Sequence, residues 1–539
     1  MARHGLSSLG LLGLIAASSA SADVTISTHV TQNMSCSAGV CTPTAADAFL
    51  NVVDLKSMLK HADLTVQSNA TAPNIDVASV TAWTNTHALT LNAYGSLLVG
   101  SHIMSQGTGS LSIVTNAGGL GGDYAFSNGA RIVFRDASSD LTINGQSYVL
   151  VDSVSALAAA VSANANANIA LMSDFDASTE GTYNDSPVTA AFTGTFTGLG
   201  NAINRLTIVS PGGSGAVCLG LFNRNDGTIR SLNLQHASLT LTAADFTGAA
   251  GGLLTCTNDG TISNVVVSGT VGGTFSQAGG IVGINAFGKI VQASASVTVS
   301  GQFPGGIAGY NNAAISQSQA AGHVTVISGK RNLAGGGIAA LNSGGSITLS
   351  HASVDLSNAA GEGHRASVGG LVGFNFEAGV SRSYATGPVA GAMLSRVGGL
   401  VGYNRHGTIS QSYALGSAVG ANGAVSGGLV GLNEAAPPSI SQSYSTGAVS
   451  VSGAGLAGGL IGNDNSRAAN IMSSVWDLDT SGISDPSKGA GAPANDPGIT
   501  GLSDAALKSG LPAGFDPAVW GSNPSINSGL PYLLAQPPG

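Results

Sequence analysis

Between Gly251 and Gly462 one phrase returns eight times: two glycines, an aliphatic residue, a small or aliphatic residue, usually Gly, then an apolar residue and often Asn. The clearest copies are Gly369-Gly370-Leu371-Val372-Gly373-Phe374-Asn375, Gly398-Gly399-Leu400-Val401-Gly402-Tyr403-Asn404 and Gly427-Gly428-Leu429-Val430-Gly431-Leu432-Asn433. Counted from Gly251, the steps are 28, 26, 31, 33, 29, 29 and 31 residues. A period in this range marks a solenoid: each unit buries its apolar face only by stacking on the next. Most of the chain is then committed to building a rod, which lowers the expectation of an enzyme.

Each unit carries a second phrase, as in Gly379-Val-Ser-Arg-Ser-Tyr384, Gly407-Thr-Ile-Ser-Gln-Ser-Tyr413 and Ser439-Ile-Ser-Gln-Ser-Tyr444. A third apolar stretch follows, such as Ala418-Val419-Gly420. Three short strands per unit fit one coil of a parallel β-helix. The predicted fold is therefore an all-β, right-handed parallel β-helix with N- and C-terminal caps; handedness follows from the preference of parallel crossovers. The glycines are expected at sharp turns with φ > 0. The recurring Asn285, Asn311, Asn342, Asn375, Asn404 and Asn433 are expected to bond to their copies in neighbouring coils.

Composition agrees. Glycine makes up 79 of 539 residues, about twice the usual ~7%. Only 8% of residues are charged. The net charge of −9 comes without a basic cluster, which argues against nucleic acid and anionic membrane surfaces as partners.

Five segments are expected. Residues 1–22 read as a signal peptide: Arg3 and His4, the apolar run Leu9–Ala17, and a small-x-small site at Ala20-Ser21-Ala22. The run is too short to span a bilayer, so the chain is read as exported and not an integral membrane protein, acting outside the cell or on its surface. Residues 23–84 read as an N-terminal cap with a helix between Ala45 and Lys60. Residues 85–204 read as irregular coils, with a short helix at Ser155–Ala163. Residues 205–470 carry the repeat, and 471–539 form a C-terminal cap laid across the last coil. Cys36 and Cys41 are close enough for a disulfide. Cys218 and Cys256 fall at different repeat positions and are not expected to meet.

At these residues the chain resembles the GLUG-motif proteins, named for the phrase seen in Gly398–Gly402; Ser383-Tyr384-Ala385-Thr386-Gly387 and Ser412-Tyr413-Ala414 match the rest of that motif. The stretch Leu89–Ile208, notably Leu141–Leu150, is similar to rungs of filamentous-haemagglutinin-type exoproteins. The resemblance implies an exported, β-helical and adhesive bacterial protein. Some GLUG-motif proteins are zinc peptidases with a His-Glu-x-x-His helix; this chain has none, and that activity is not carried over.

Candidate sites are few. Asp226 and Asp259 share one repeat position in Asn-Asp-Gly phrases. Asp174 and Asp176 fall on one side of an extended segment. Either group is an acidic site or a set of solvated turn acids. Gly118–Asp123 resembles a single calcium nonapeptide, but such a site needs tandem copies. His364, near Glu362 and Arg365, reads as an exposed loop residue. Tyr384, Tyr413 and Tyr444 share a position and form a ladder. Outward, it is a binding strip; parity with Ile409 favours inward. The expected function is a non-enzymatic, adhesin-like protein with an extended face for a carbohydrate or protein ligand on host, matrix or sibling cell, without cofactors. The alternatives are a polysaccharide lyase or hydrolase on the same scaffold, or a structural exoprotein of a surface layer or biofilm.

Overall fold

The computed structural model describes residues 23–212, 217–243, 248–327, 332–359, 365–434, 439–466 and 471–538. Residues 1–22, expected to be a signal segment, and the Glu362–His364 pair lie outside the described residues. The chain divides into two compact units interleaved in sequence. One comprises Met1–Glu180, Thr193–Asn204 and Gly227–Asn233; the other Gly181–Phe192, Arg205–Asp226 and Leu234–Gly539.

Both units are parallel β-solenoids. In the first, three stacks are built from short strands that alternate buried and half-exposed residues. Leu64–Gln67, Leu89–Asn92, Leu111–Val114 and Leu141–Ile143 pair in parallel, and Leu64, Leu89, Leu111 and Leu141 form one buried column. Stacking begins earlier than expected: Val24–Ser27 already pairs with Ala48–Asn51 and Ile75–Val77. Residues 23–84 are therefore largely coils. Their strands alternate as regularly as later ones but lack the glycine phrase that makes the repeat visible. The expected helices are Val52–Leu59 and Val154–Ala163. Each starts at a side-chain cap, Asn51 Oδ1 accepting from Val53 N and Ser153 Oγ from Ala156 N, which satisfies otherwise orphaned donors.

In the second unit two sheets of nine parallel strands run from Cys218–Leu219 to Leu456–Gly458 and from Phe222–Asn225 to Ile461–Asp464. Gly252, not Gly251, aligns with Gly279, so the first anchor lies one residue later than the phrase suggests.

The paired glycines are not left-handed. Among the described residues, none of Gly369, Gly370, Gly398, Gly399, Gly427 and Gly428 has positive φ. What excludes a side chain is close approach. A Cβ on Gly398 would collide with Val401 O, and one on Gly399 with Gly428 O of the next coil. The left-handed corner is made instead by Gln317, Leu349, Arg382, Gln411 and Gln442, with φ of 49, 48, 47, 49 and 44°. Each precedes a serine that supports it. Ser383 Oγ accepts from Ser350 N at 3.1 Å and donates to Ser381 O at 2.8 Å, and Ser350, Ser412, Ser443 and Ser474 repeat the pattern.

Inside the second nine-stranded sheet runs an amide ladder. From Asn225 through Asn258, Asn285, Asn311, Asn342, Asn375 and Asn404 to Asn433, each Nδ2 donates to the next Oδ1 at 2.7–2.9 Å. Asn433 donates to Asp464 Oδ1 at 2.9 Å. All eight asparagines are fully buried, which is tolerable only because every rung finds a partner.

The solenoid also continues past residue 471: Ile471–Met472 and Ser474–Asp477 pair with the preceding coil, and Ile499–Leu502 stacks on Ser474–Asp477. The remaining C-terminal segment folds back along the side of several coils, where Gln536 Nε2 donates to Leu349 O at 3.1 Å.

Candidate contact face

One continuous outward surface comes from four of the longer strands. Thr261–Gly273, Lys289–Gly301, Gln319–Val326 and His351–Asn358 pair in parallel and in register. Their inward residues are aliphatic, such as Val267, Val271, Ala295, Val297, Val299, Val324, Val354 and Leu356. Their outward residues are short and mostly carry hydroxyls, because period-two alternation sends every second side chain to solvent.

Registered pairing arranges these outward residues in columns. One contains Ser268, Ser296, Ala321 and Ser353; the next contains Thr270, Thr298, His323 and Asp355; a third runs Ser300, Thr325, Ser357, Ala390, Val419 and Ser450. Thr270, Ser296, Thr298, His323, Ser353 and Asp355 are exposed. Rungs lie about 4.8 Å apart, and successive outward residues along a strand about 6.6 Å apart. Neighbours interact weakly: Thr325 Oγ1 and Ser357 Oγ are 3.3 Å apart, and His323 Nδ1 lies 3.6 Å from Asp355 Oδ2. The face holds a regular grid of polar groups without an aromatic platform.

A second strip crosses the outer side of a nine-stranded sheet: Ile284, Tyr310, Leu341, Phe374, Tyr403 and Leu432. Phe374 and Tyr403 stack at 4.7 Å and 6°. The Arg396 guanidinium sits 4.4 Å from the Tyr403 ring, and the Tyr403 hydroxyl donates to Glu434. Stacked rings cover one another's faces, so this strip offers mainly edges to a ligand.

The tyrosine ladder is core, and the binding-strip reading of Tyr384, Tyr413 and Tyr444 is corrected. Tyr413 and Tyr444 have no exposure and Tyr384 4%. The rings stack at 4.7 and 5.0 Å and continue to His351 at 4.7 Å. Trp520, Phe515, Leu530 and Leu533 of the C-terminal segment cover them. Tyr444 Oη donates to Pro531 O at 2.6 Å. Burial holds the Tyr384 phenol up at about 12 and the His351 imidazole down at about 4.

The acidic candidates do not converge on an open site. Asp226 and Asp259 are neighbours, but Arg224 bridges them, at 2.7 Å from Asp226 Oδ1 and 2.5 Å from Asp259 Oδ2. Asp174 pairs with Arg131 and accepts from Ala202 N at 2.9 Å. Asp176 closes a turn, accepting from Ser178 N at 3.1 Å. The first pair belongs to one unit and the second to the other. Asp123, at the end of the nonapeptide-like phrase, holds Arg230 at 2.8 Å, and Arg230 lies 4.1 Å from the Tyr124 ring. Among the described residues, no group of three or more His, Cys, Asp or Glu is placed to hold a metal ion.

Cys36 and Cys41 face each other in the hairpin Met34–Ser37/Val40–Pro43 and are joined by a disulfide. Cys218 and Cys256 are also bonded, with Cα atoms 5.4 Å apart, contrary to the expectation from repeat position. Cys218 aligns with Ala250 of the next coil. The chain then turns through Leu253 and Leu254, and this brings Cys256 back beside Ala250, whose carbonyl lies 3.4 Å from Cys256 Sγ.

No family model matches the chain, and no solved structure matches it. Among curated proteins, Halomucin of Haloquadratum walsbyi (strain DSM 16790 / HBSQ001) is 42% identical over 93 residues, which are 17% of this chain and 1% of Halomucin. The chain therefore spans a very small part of that relative. Among the described residues, no helix is long and apolar enough to cross a membrane.

Proposed function

We propose that this chain is an exported, non-enzymatic, adhesin-like protein that binds a carbohydrate or protein ligand on another surface through the columns led by Ser268, Thr270 and Ser300. The observation that carries this reading is the registered repetition of short polar side chains over successive coils. Each contact is weak, and affinity comes from engaging many at once on a preorganised backbone. The resemblance to GLUG-motif and filamentous-haemagglutinin-type exoproteins supports a role outside the cell, and the local likeness to Halomucin is in keeping with it. Export through residues 1–22 is part of the same proposal.

The test is a glycan and matrix-protein array scored for both retention and product release. Retention without product, lost in Thr298→Lys, is the expected result. Release of cleaved product would favour a lyase or hydrolase on this scaffold.

A further inference from the structure

We infer that the ligand of this face is a rigid, uncharged polysaccharide surface, such as a crystalline β-linked glucan or chitin, rather than a flexible soluble chain. The inference rests on the binding-face reading above and names its ligand class.

Three features of the face lead there. First, its polar atoms sit on short side chains. Ser268, Thr270, Ser296, Thr298, Ser300, Thr325, Ser353 and Ser357 have at most one side-chain torsion that moves a heavy atom, and parallel strands fix their positions. A fixed grid gains most from a partner whose own groups are fixed. A flexible chain would lose conformational freedom at every contact, and a single hydroxyl hydrogen bond nets only about 1 kcal/mol. Second, the grid is almost free of charge. Its central column holds one acid and one histidine, and these face each other at 3.6 Å. The three columns carry no Lys or Arg, and the one exposed lysine of these strands, Lys289, stands at the far end of its strand, so the grid itself lacks the cations that would recognise a sulfated or uronic-acid polymer. Third, it carries no Phe, Tyr or Trp ring whose face could stack on a single sugar, in contrast to a lectin-like pocket. Many in-register hydroxyls, little charge and no pocket match a partner that repeats hydroxyls over an extended plane.

The experiment is a sedimentation assay of the full mature chain with microcrystalline cellulose, crystalline chitin, their phosphoric-acid-swollen amorphous forms, soluble cello- and chito-oligosaccharides, and a sulfated glycan. Thr270→Lys and Thr298→Lys are compared with wild type; both positions are exposed, and circular dichroism confirms that each variant folds. Wild type is expected to partition onto at least one crystalline solid at least tenfold more than onto its amorphous or soluble form. The partition should persist in 0.5 M salt and drop at least fivefold in each variant. Preference for soluble, amorphous or sulfated glycans, abolished by the same variants, overturns the inference and leaves the binding face standing. Retention on any ligand that both variants leave unchanged overturns the binding-face reading itself.

Discussion

Asn375 donates from Nδ2 to Asn404 Oδ1 at 2.9 Å, and neither residue reaches solvent. The two are 29 residues apart in sequence and one coil apart in space. Their bond is one rung of a ladder that turns the fourth strand position of every repeat from a liability into a register lock. A slip in register would break the rung and leave the neighbouring buried amides without a partner, at a cost of several kcal/mol.

Breaking one rung tests the lock. Asn375→Ala removes the bonds to Asn342 and Asn404 and also frees Ala378 O. Two buried amides then lose a partner each, which is worth about 2–4 kcal/mol in all. Guanidinium denaturation should show this loss, and Asn375→Asp should cost at least as much.

The tyrosine ladder separates two hydroxyls of unlike worth. Tyr413 Oη is buried without a hydrogen-bond partner, whereas Tyr444 Oη donates to Pro531 O and accepts from Asn527 Nδ2. Tyr413→Phe is expected to be neutral or stabilising. Tyr444→Phe should cost about 1–2 kcal/mol and loosen the C-terminal segment. Thermal melts of both variants, with limited proteolysis near residue 530, check the difference.

The ladder of amides ends on a carboxylate, Asp464, beside Asp496. Burial, with Asp464 as a second cause, raises Asp496 to about 7. A carboxyl whose folded pKa lies above its unfolded value of about 3.9 contributes stability that fades as pH rises from about 4 to about 7. Asp464→Asn continues the ladder and removes one charge. It should raise the melting temperature at pH 7.5 and flatten the pH dependence over that window relative to wild type.

His351 acts in the opposite direction. Burial lowers it to about 4, and Gln536 Nε2 lies 2.8 Å from its Nδ1. Neutral in the folded chain, it costs stability as pH falls from about 6.5 towards 4, by up to about 1.4 kcal/mol per unit. His351→Phe preserves the stack on Tyr384 and should remove that share of the acid sensitivity in melts taken between pH 7 and 4.

Much of this was legible in the chain because a solenoid writes its contacts as repetition. The phrase around Gly398–Asn404 announces the coil, and equal positions in successive units become neighbours. Parity with Ile409 puts Tyr413 indoors. Three things were hidden for physical reasons. The role of the paired glycines depends on how closely Gly399 approaches Gly428 O, which composition cannot distinguish from a left-handed turn. The earliest coils, from Val24, stack through ordinary alternation and leave no phrase to count. The Cys218–Cys256 bond depends on the corner at Leu253–Leu254, where different repeat positions meet. The hydroxyl columns were readable in principle from the alternation in Ser296-Val-Thr298-Val-Ser300, but their ends are set by strand lengths that vary from unit to unit.

Stacking in register is the claim on which the face, the ladders and the proposed ligand all depend, and cross-linking measures it directly. Thr270 and Thr298 are registered partners on adjacent coils, at a separation of about 4.8 Å that suits a disulfide. Under mild oxidation, Thr270→Cys with Thr298→Cys should form a 270–298 cross-link seen by peptide mass mapping, with the native pairs intact. Thr270→Cys with Val299→Cys, which points the second thiol into the core, should not. Equal cross-linking of both pairs, or none in the first, would contradict the in-register solenoid.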